Sequence, residues 1–196
     1  MGRTRKITTD DILDAAERVV TRLGAAGLSI DAVAQEAGVS KSRVVYDHKS
    51  KSALLEALID RTLSEEFKRV KQSVEAHTHA PHPELFGRIT LAEQAPDDID
   101  RAVALAISAA MSTEEKVQRQ MREWTATDLK AMSGGKHPKA ALMAYLALTG
   151  FYCTELFSFH RWDAEQRTEI LEGIRTIYAT YPDNAQFVPQ DDTPRV

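Results

Sequence analysis

Apolar residues recur at three- and four-residue spacing through almost the whole chain, and no pattern of apolar and polar residues in alternation stands out. The first pattern lines one face of a helix; the second is what a half-buried strand would need. The chain is therefore predicted to be all-α. Ile12, Ala15, Ala16, Val19, Val20 and Leu23 form the first such face, with Thr8 and Asp11 as a capping pair ahead of it and Gly24 and Gly27 to stop it. Ser29 caps a short helix over 30–37, and Gly38 breaks it. Ser40 caps another helix that runs to about Asp47. Ser50 caps a long one carrying Leu54, Leu58, Ile59, Leu63, Phe67, Val70 and Val74. The prolines and histidines of 77–83 read as a linker. Further helices are placed at about 84–95, 97–112, 114–132, 139–160 and 164–180, punctuated by Pro96, Gly134-Gly135, Pro138 and Pro182.

Residues 29–46 carry most of the functional information. Ile30, Val33, Ala34 and Ala37 give the first helix an apolar underside, and the small Ala34 lets a second helix cross close to it. Gly38 suits the turn because it tolerates positive φ. Val39 plugs the angle between the two helices. Ser40 then leaves Lys41, Ser42 and Arg43 at the start of the second helix. This is the pattern of a helix-turn-helix, whose second helix enters the major groove with its N-terminal residues on base edges. Lys and Arg suit guanine O6 and N7.

Four segments together resemble the DNA-binding domain of the tetracycline-repressor (TetR) family, over about residues 7–58 and without gaps. They are Ile12-Leu13-x-Ala15-Ala16, the pair Gly24/Gly27, Val33-Ala34-x-x-Ala37-Gly38-Val39-Ser40, and Lys51-x-x-Leu54-Leu55. The resemblance implies an N-terminal three-helix helix-turn-helix domain. It also implies a C-terminal helical domain that binds a small effector and dimerises through its last two long helices. The corresponding division is a reader at 1–51, a connecting helix at 52–76, an effector-binding and dimerisation domain at 84–181, and a tail at 182–196 expected to be disordered. In the family the reader runs Tyr-x-His-Phe; those positions are Val45, Asp47 and His48 here, with Tyr46 one residue late. The aromatic phosphate contact then falls to Tyr46 or to His48. The expected DNA-contacting set is Arg3 and Arg5 of a basic arm, Ser29, Lys41, Ser42, Arg43, Tyr46, His48, and Lys49 and Lys51 as phosphate ligands at the next helix start.

Charge distribution agrees with a DNA reader. Residues 1–51 hold nine Lys/Arg against seven Asp/Glu, whereas 52–196 hold sixteen against twenty-two. The excess of positive charge lies where phosphate would be met. Beyond the reader, Phe86, Met111, Met121, Trp124, Tyr145 and Tyr152 are candidate lining residues for a largely apolar effector cavity within 84–160. The helix at 139–160 is apolar nearly all round, and Ala144, Ala147 and Gly150 would permit close approach of a partner. With 164–180 it would form half of a four-helix dimer bundle. The single cysteine, Cys153, excludes an intrachain disulfide and fits a reducing, cytoplasmic setting. No apolar run is long enough to span a membrane. His77, His79 and His82 lack the neighbouring Cys or acid that would complete a zinc site, so no metal or cofactor is expected. The predicted function is a homodimeric regulator of a double-stranded DNA operator, released by a small-molecule effector. The alternatives are a DNA-binding dimer without effector, or a helical-bundle enzyme. Against the enzyme stands the lack of any phosphate-binding loop or nucleophile–base spacing.

Overall fold

The computed structural model describes residues 7–182. Among them are nine helices and no strand: α1 (Thr9–Gly27), α2 (Ile30–Ala37), α3 (Lys41–Asp47), α4 (Lys51–Ala76), α5 (Pro83–Leu91), α6 (Asp98–Ala110), α7 (Glu115–Met132), α8 (Pro138–Leu156) and α9 (Ala164–Thr180). Local chemistry sets most of the boundaries. The Thr8 side chain accepts from the Asp11 amide while the Asp11 carboxylate accepts from Thr8, closing a capping box at α1. Ser29, Ser40 and Ser50 accept from the third residue of α2, α3 and α4 in the same way. Gly38, at φ +65°, ends α2 in the left-handed conformation that its lack of a Cβ allows. Gly24 bends α1 rather than ending it, and the last turn continues to Gly27. Leu23, just before the bend, is 51% exposed and not in the core.

Two predicted ends lie elsewhere, each for a tertiary or non-glycine reason. α5 stops at Leu91: the Glu93 and Gln94 amides return to the Thr90 and Leu91 carbonyls in tighter turns, and the Arg167 guanidinium, from α9, takes the free carbonyl of Ala92 at 2.5 Å. α8 stops at Leu156. There Ser158 turns to φ +53°, and the amides of Phe159 and His160 both return to the Thr154 carbonyl. The predicted 77–83 linker contains a helix cap. His82 is buried, its Nδ1 accepting from the Leu85 amide in the first turn of α5 and its Nε2 lying 3.2 Å from the Gly134 carbonyl.

One core joins α1, α2 and α3 with Leu54 and Leu58 of α4 and Ala106 of α6. A second joins α5, α7, α8 and α9 around Leu85, Ile89, Met132, Tyr145 and Leu171. A small cluster of Ile59, Ala110 and Val117 lies between them. α4 belongs to both halves. Its Arg61 pairs with Asp14 and Glu17 of α1, and its Glu56 and Asp60 pair with Lys116 of α7. No described helix is long and apolar enough to cross a membrane.

Candidate functional site

α3 is oriented by one residue. Val44 is fully buried in the first core, so the opposite side of this two-turn helix faces solvent. Lys41, Ser42, Val45 and Tyr46 are exposed there, with Lys49 just beyond the helix end. Tyr46 is 84% exposed. Lys41 Nζ lies 2.9 Å from Asp31 of α2, an exposed pair weak enough to exchange for phosphate or base. Ser42 and Ser40 share a hydrogen bond of 2.9 Å between their hydroxyls. Ser29 is occupied in capping α2. Arg3 and Arg5 lie outside the described residues.

Other expected contacts point inward. Arg43 donates to the Ile7 carbonyl at 3.3 Å and pairs with Asp47 at 2.5 Å. Asp47 also accepts from Thr9 at 3.0 Å, so one carboxylate ties α3 to the start of α1. The Arg43 hydrogen bond, opposed by burial and aided by Thr9, holds the Asp47 carboxyl below the usual carboxylate range. His48 is buried, and burial pushes its imidazole pKa down, with Asp47 opposing and Arg43 assisting. Of the two aromatic candidates only Tyr46 therefore stands at the surface. Lys51 Nζ donates to the Ala26 carbonyl at 3.1 Å, binding α4 to the end of α1.

In the C-terminal half the predicted lining residues divide. Trp124 and Tyr145 converge on Asp128, whose Oδ2 accepts from the indole at 3.2 Å and from the phenol at 2.9 Å. Arg88 completes the group at 2.6 Å from Asp128 Oδ1. Burial, with the Asp128 charge behind it, pushes the Tyr145 hydroxyl up to about 12. Tyr152 is raised to about 12 by burial, then by Asp100 and Glu66. Phe86 instead packs edge-on to Tyr178 at 5.6 Å, and Met111 follows the end of α6, 38% exposed. Met121 is half-buried on α7. The interior beside Trp124 is therefore charged and hydrogen-bonded, not the largely apolar cavity expected. Two open clefts lie elsewhere. One of about 580 Å³ runs along α9 past Trp162, Arg167 and Arg175. The other, about 260 Å³, is flanked by Glu17, Arg69 and Asp100. None of the six predicted residues lines either. Phe67 of α4, whose ring lies tilted against that of Trp124 at 4.1 Å, was not anticipated as a neighbour of this group. Asp128 had a legible signal: it interrupts the helical stripe Val117, Met121, Trp124, Met132, where a carboxylate must be buried and paired.

Family models match both halves. Residues 12–58 match the tetR family of bacterial regulatory proteins, and residues 84–178 match the tetracyclin repressor-like C-terminal domain. The chain belongs to the TetR family of transcriptional regulators. Solved structures with the same fold include a TetR-family member, SCO1917, from Streptomyces coelicolor A3. It is 26% identical, with a TM-score of 0.59 over 84% of this chain and 96% of that one. Another is a TetR-family transcriptional regulator from Pseudomonas syringae pv. tomato, 19% identical, with a TM-score of 0.61 over 90% and 96%. A third is the multidrug-binding protein EbrR complexed with malachite green, 24% identical, with a TM-score of 0.62 over 84% and 96%. Among curated proteins none matches the chain. In this TetR-family regulator α8 and α9 pack together, with Leu146 of α8 50% exposed and Phe159, in the connection between the two helices, 76% exposed. A Cβ at Gly150 or Gly173 would meet nothing within 4 Å, so both positions border open space on the single chain.

Proposed function

We propose that this regulator acts as a homodimer that holds a double-stranded DNA operator and releases it when a small molecule binds the C-terminal half. The observation that carries the DNA half is the reader itself: Val44 buried and Lys41, Ser42 and Tyr46 presented together on the outer face of α3. Two such helices, held about 34–36 Å apart, enter successive major grooves. Dimerisation through α8 and α9 would set that spacing, with 84–181 as the effector and dimerisation unit, 52–76 as the lever and 1–51 as the reader. EbrR, of like fold, is a multidrug-binding protein complexed with malachite green, which supports a small-molecule effector; Trp124, on α7, is the indole placed to report on it.

The test of operator binding is selection of duplexes from a random pool by the full chain, followed by anisotropy titration. Lys41→Ala should weaken the selected site by about 1–3 kcal/mol if Lys41 meets a base. Lys49→Ala should weaken all duplexes alike and reduce the salt slope by about one unit. Failure to enrich any duplex would overturn the reading. For the effector, Trp162→Phe leaves Trp124 as the one indole, since the chain has two tryptophans. Malachite green is the first probe. It should raise the melting temperature, change Trp124 emission and release the operator over one concentration range. Release with unchanged Trp124 emission would move the effector site away from α7.

A further inference from the structure

The exposed face of α3 is not mainly cationic. With Val44 turned inward, the helical advance of about 100° per residue puts Ser42 and Tyr46 opposite it, with Val45 and Arg43 on the two flanks. Val45 is 39% exposed and Tyr46 84%, so two apolar groups stand side by side where a soluble chain alone would gain nothing from them. The other flank is closed. Arg43 is held by the Asp47 carboxylate at 2.5 Å and by the Ile7 carbonyl. The Asp47 side chain is only 9% exposed. If Arg43 swung out toward a guanine, that carboxylate would keep only the Thr9 hydroxyl and would remain as a buried negative charge beside the phosphates. The Arg43 guanidinium instead stays within 6.0 Å of the Tyr46 ring centroid and braces it. Within the major groove one base edge offers an apolar group, the C5-methyl of thymine.

We infer that this regulator reads thymine methyl groups with Val45 and the ring of Tyr46, and that Arg43 is a positioning residue, held by Asp47, that does not read guanine. The inference rests on the operator-binding reading above. Each half-site then carries thymines beneath Val45 and Tyr46, and its affinity depends on their methyl groups, not on their hydrogen-bonding edges.

The experiment starts from the duplex that the full-length protein selects. If no duplex is enriched, operator binding itself falls and this inference falls with it. Given an enriched site, each thymine is replaced in turn by deoxyuridine, which removes only the methyl. Affinity should drop about threefold to fivefold at one or two thymines per half-site, the scale of one buried methyl. Val45→Ala should abolish the drop at its thymine and leave the others. Tyr46→Phe should keep the profile, whereas Tyr46→Ala should erase its part. Both side chains are exposed, so helicity and melting temperature should not change. A flat uracil scan would overturn the inference. So would a Tyr46→Phe variant weakened on every sequence, because the hydroxyl would then be meeting phosphate. Replacing each guanine by 7-deazaguanine, which lacks the N7 acceptor, tests Arg43. The profile should be the same in the wild type and in Arg43→Ala; a guanine whose effect vanishes in Arg43→Ala would make Arg43 a reader after all.

Discussion

His48 Nε2 is buried without a hydrogen-bond partner, the least favourable arrangement for an imidazole in a core. His48→Phe removes the orphan atom and keeps a flat ring in the slot. It should stabilise the chain by about 1 kcal/mol, seen as a melting temperature ~2–4 °C higher. The pH dependence follows from the sign of the shift. Burial lowers the folded pKa of His48 from its ordinary value near 6.5, so the unfolded chain protonates first as pH falls. The neutral ring's contribution is whole above about pH 6.5 and is lost as pH drops through the folded value. Asp47 lowers that loss and Arg43 increases it. Melting curves at pH 7.5 and 5.5 should show a smaller loss in His48→Phe than in the wild type; equal losses would mean that His48 is not the group responsible.

α4 and α5 meet at a glycine. A Cβ on Gly87 would stand 2.9 Å from the Val74 amide nitrogen and 3.0 Å from its Cα, while Ser73 donates to the Gly87 carbonyl at 2.8 Å. Backbone cannot yield as a side-chain tip can, so Gly87→Ala should cost about 1–3 kcal/mol by forcing the two helices apart. Urea unfolding would measure it, and a cost below about 0.5 kcal/mol, the range of a neutral surface change, would show that the crossing is loose. Gly150, on α8, is the opposite case. Its Cβ meets nothing in one chain, so Gly150→Arg should fold with full helicity and yet sediment as a monomer. A stable Gly150→Arg dimer would put the interface elsewhere than α8 and α9.

At the level of the whole molecule, the two halves meet in two places, where α6 packs on α1 and along α4. Arg61 binds α4 to α1, Glu56 and Asp60 bind it to Lys116, and Phe67 lies against Trp124. A ligand that moves Trp124 must therefore act on the helix that begins four residues after α3 ends. If effector and operator are coupled through it, the coupling is reciprocal. The factor by which saturating malachite green weakens operator binding should equal the factor by which saturating operator weakens malachite green. Factors of about 5–150 are ordinary for such coupling. Unequal ratios, both taken from equilibrium titrations, would show that the dye acts by another route, such as binding the DNA.

Helix positions, the Thr8–Asp11 box, the three serine caps and the Gly38 turn were legible in the sequence by itself. Each is an interaction between residues three or four apart, so its partners are adjacent in the written chain. The reader's location followed for the same reason. The direction of its side chains did not. Which side of α3 lay inward was set by the burial of Val44 in the first core, and the helical repeat then put Tyr46 outside and His48, four residues on from Val44, inside. Arg43 was claimed in part by Ile7, 36 residues away. The carbonyl just past the end of α5 is held by Arg167, 75 residues beyond Ala92, and the first core took Ala106 from α6. Periodicity identifies the buried face of a helix but not the neighbour that covers it. That choice belongs to the tertiary structure, because burial and pairing are settled by groups that meet only after the chain has closed on itself.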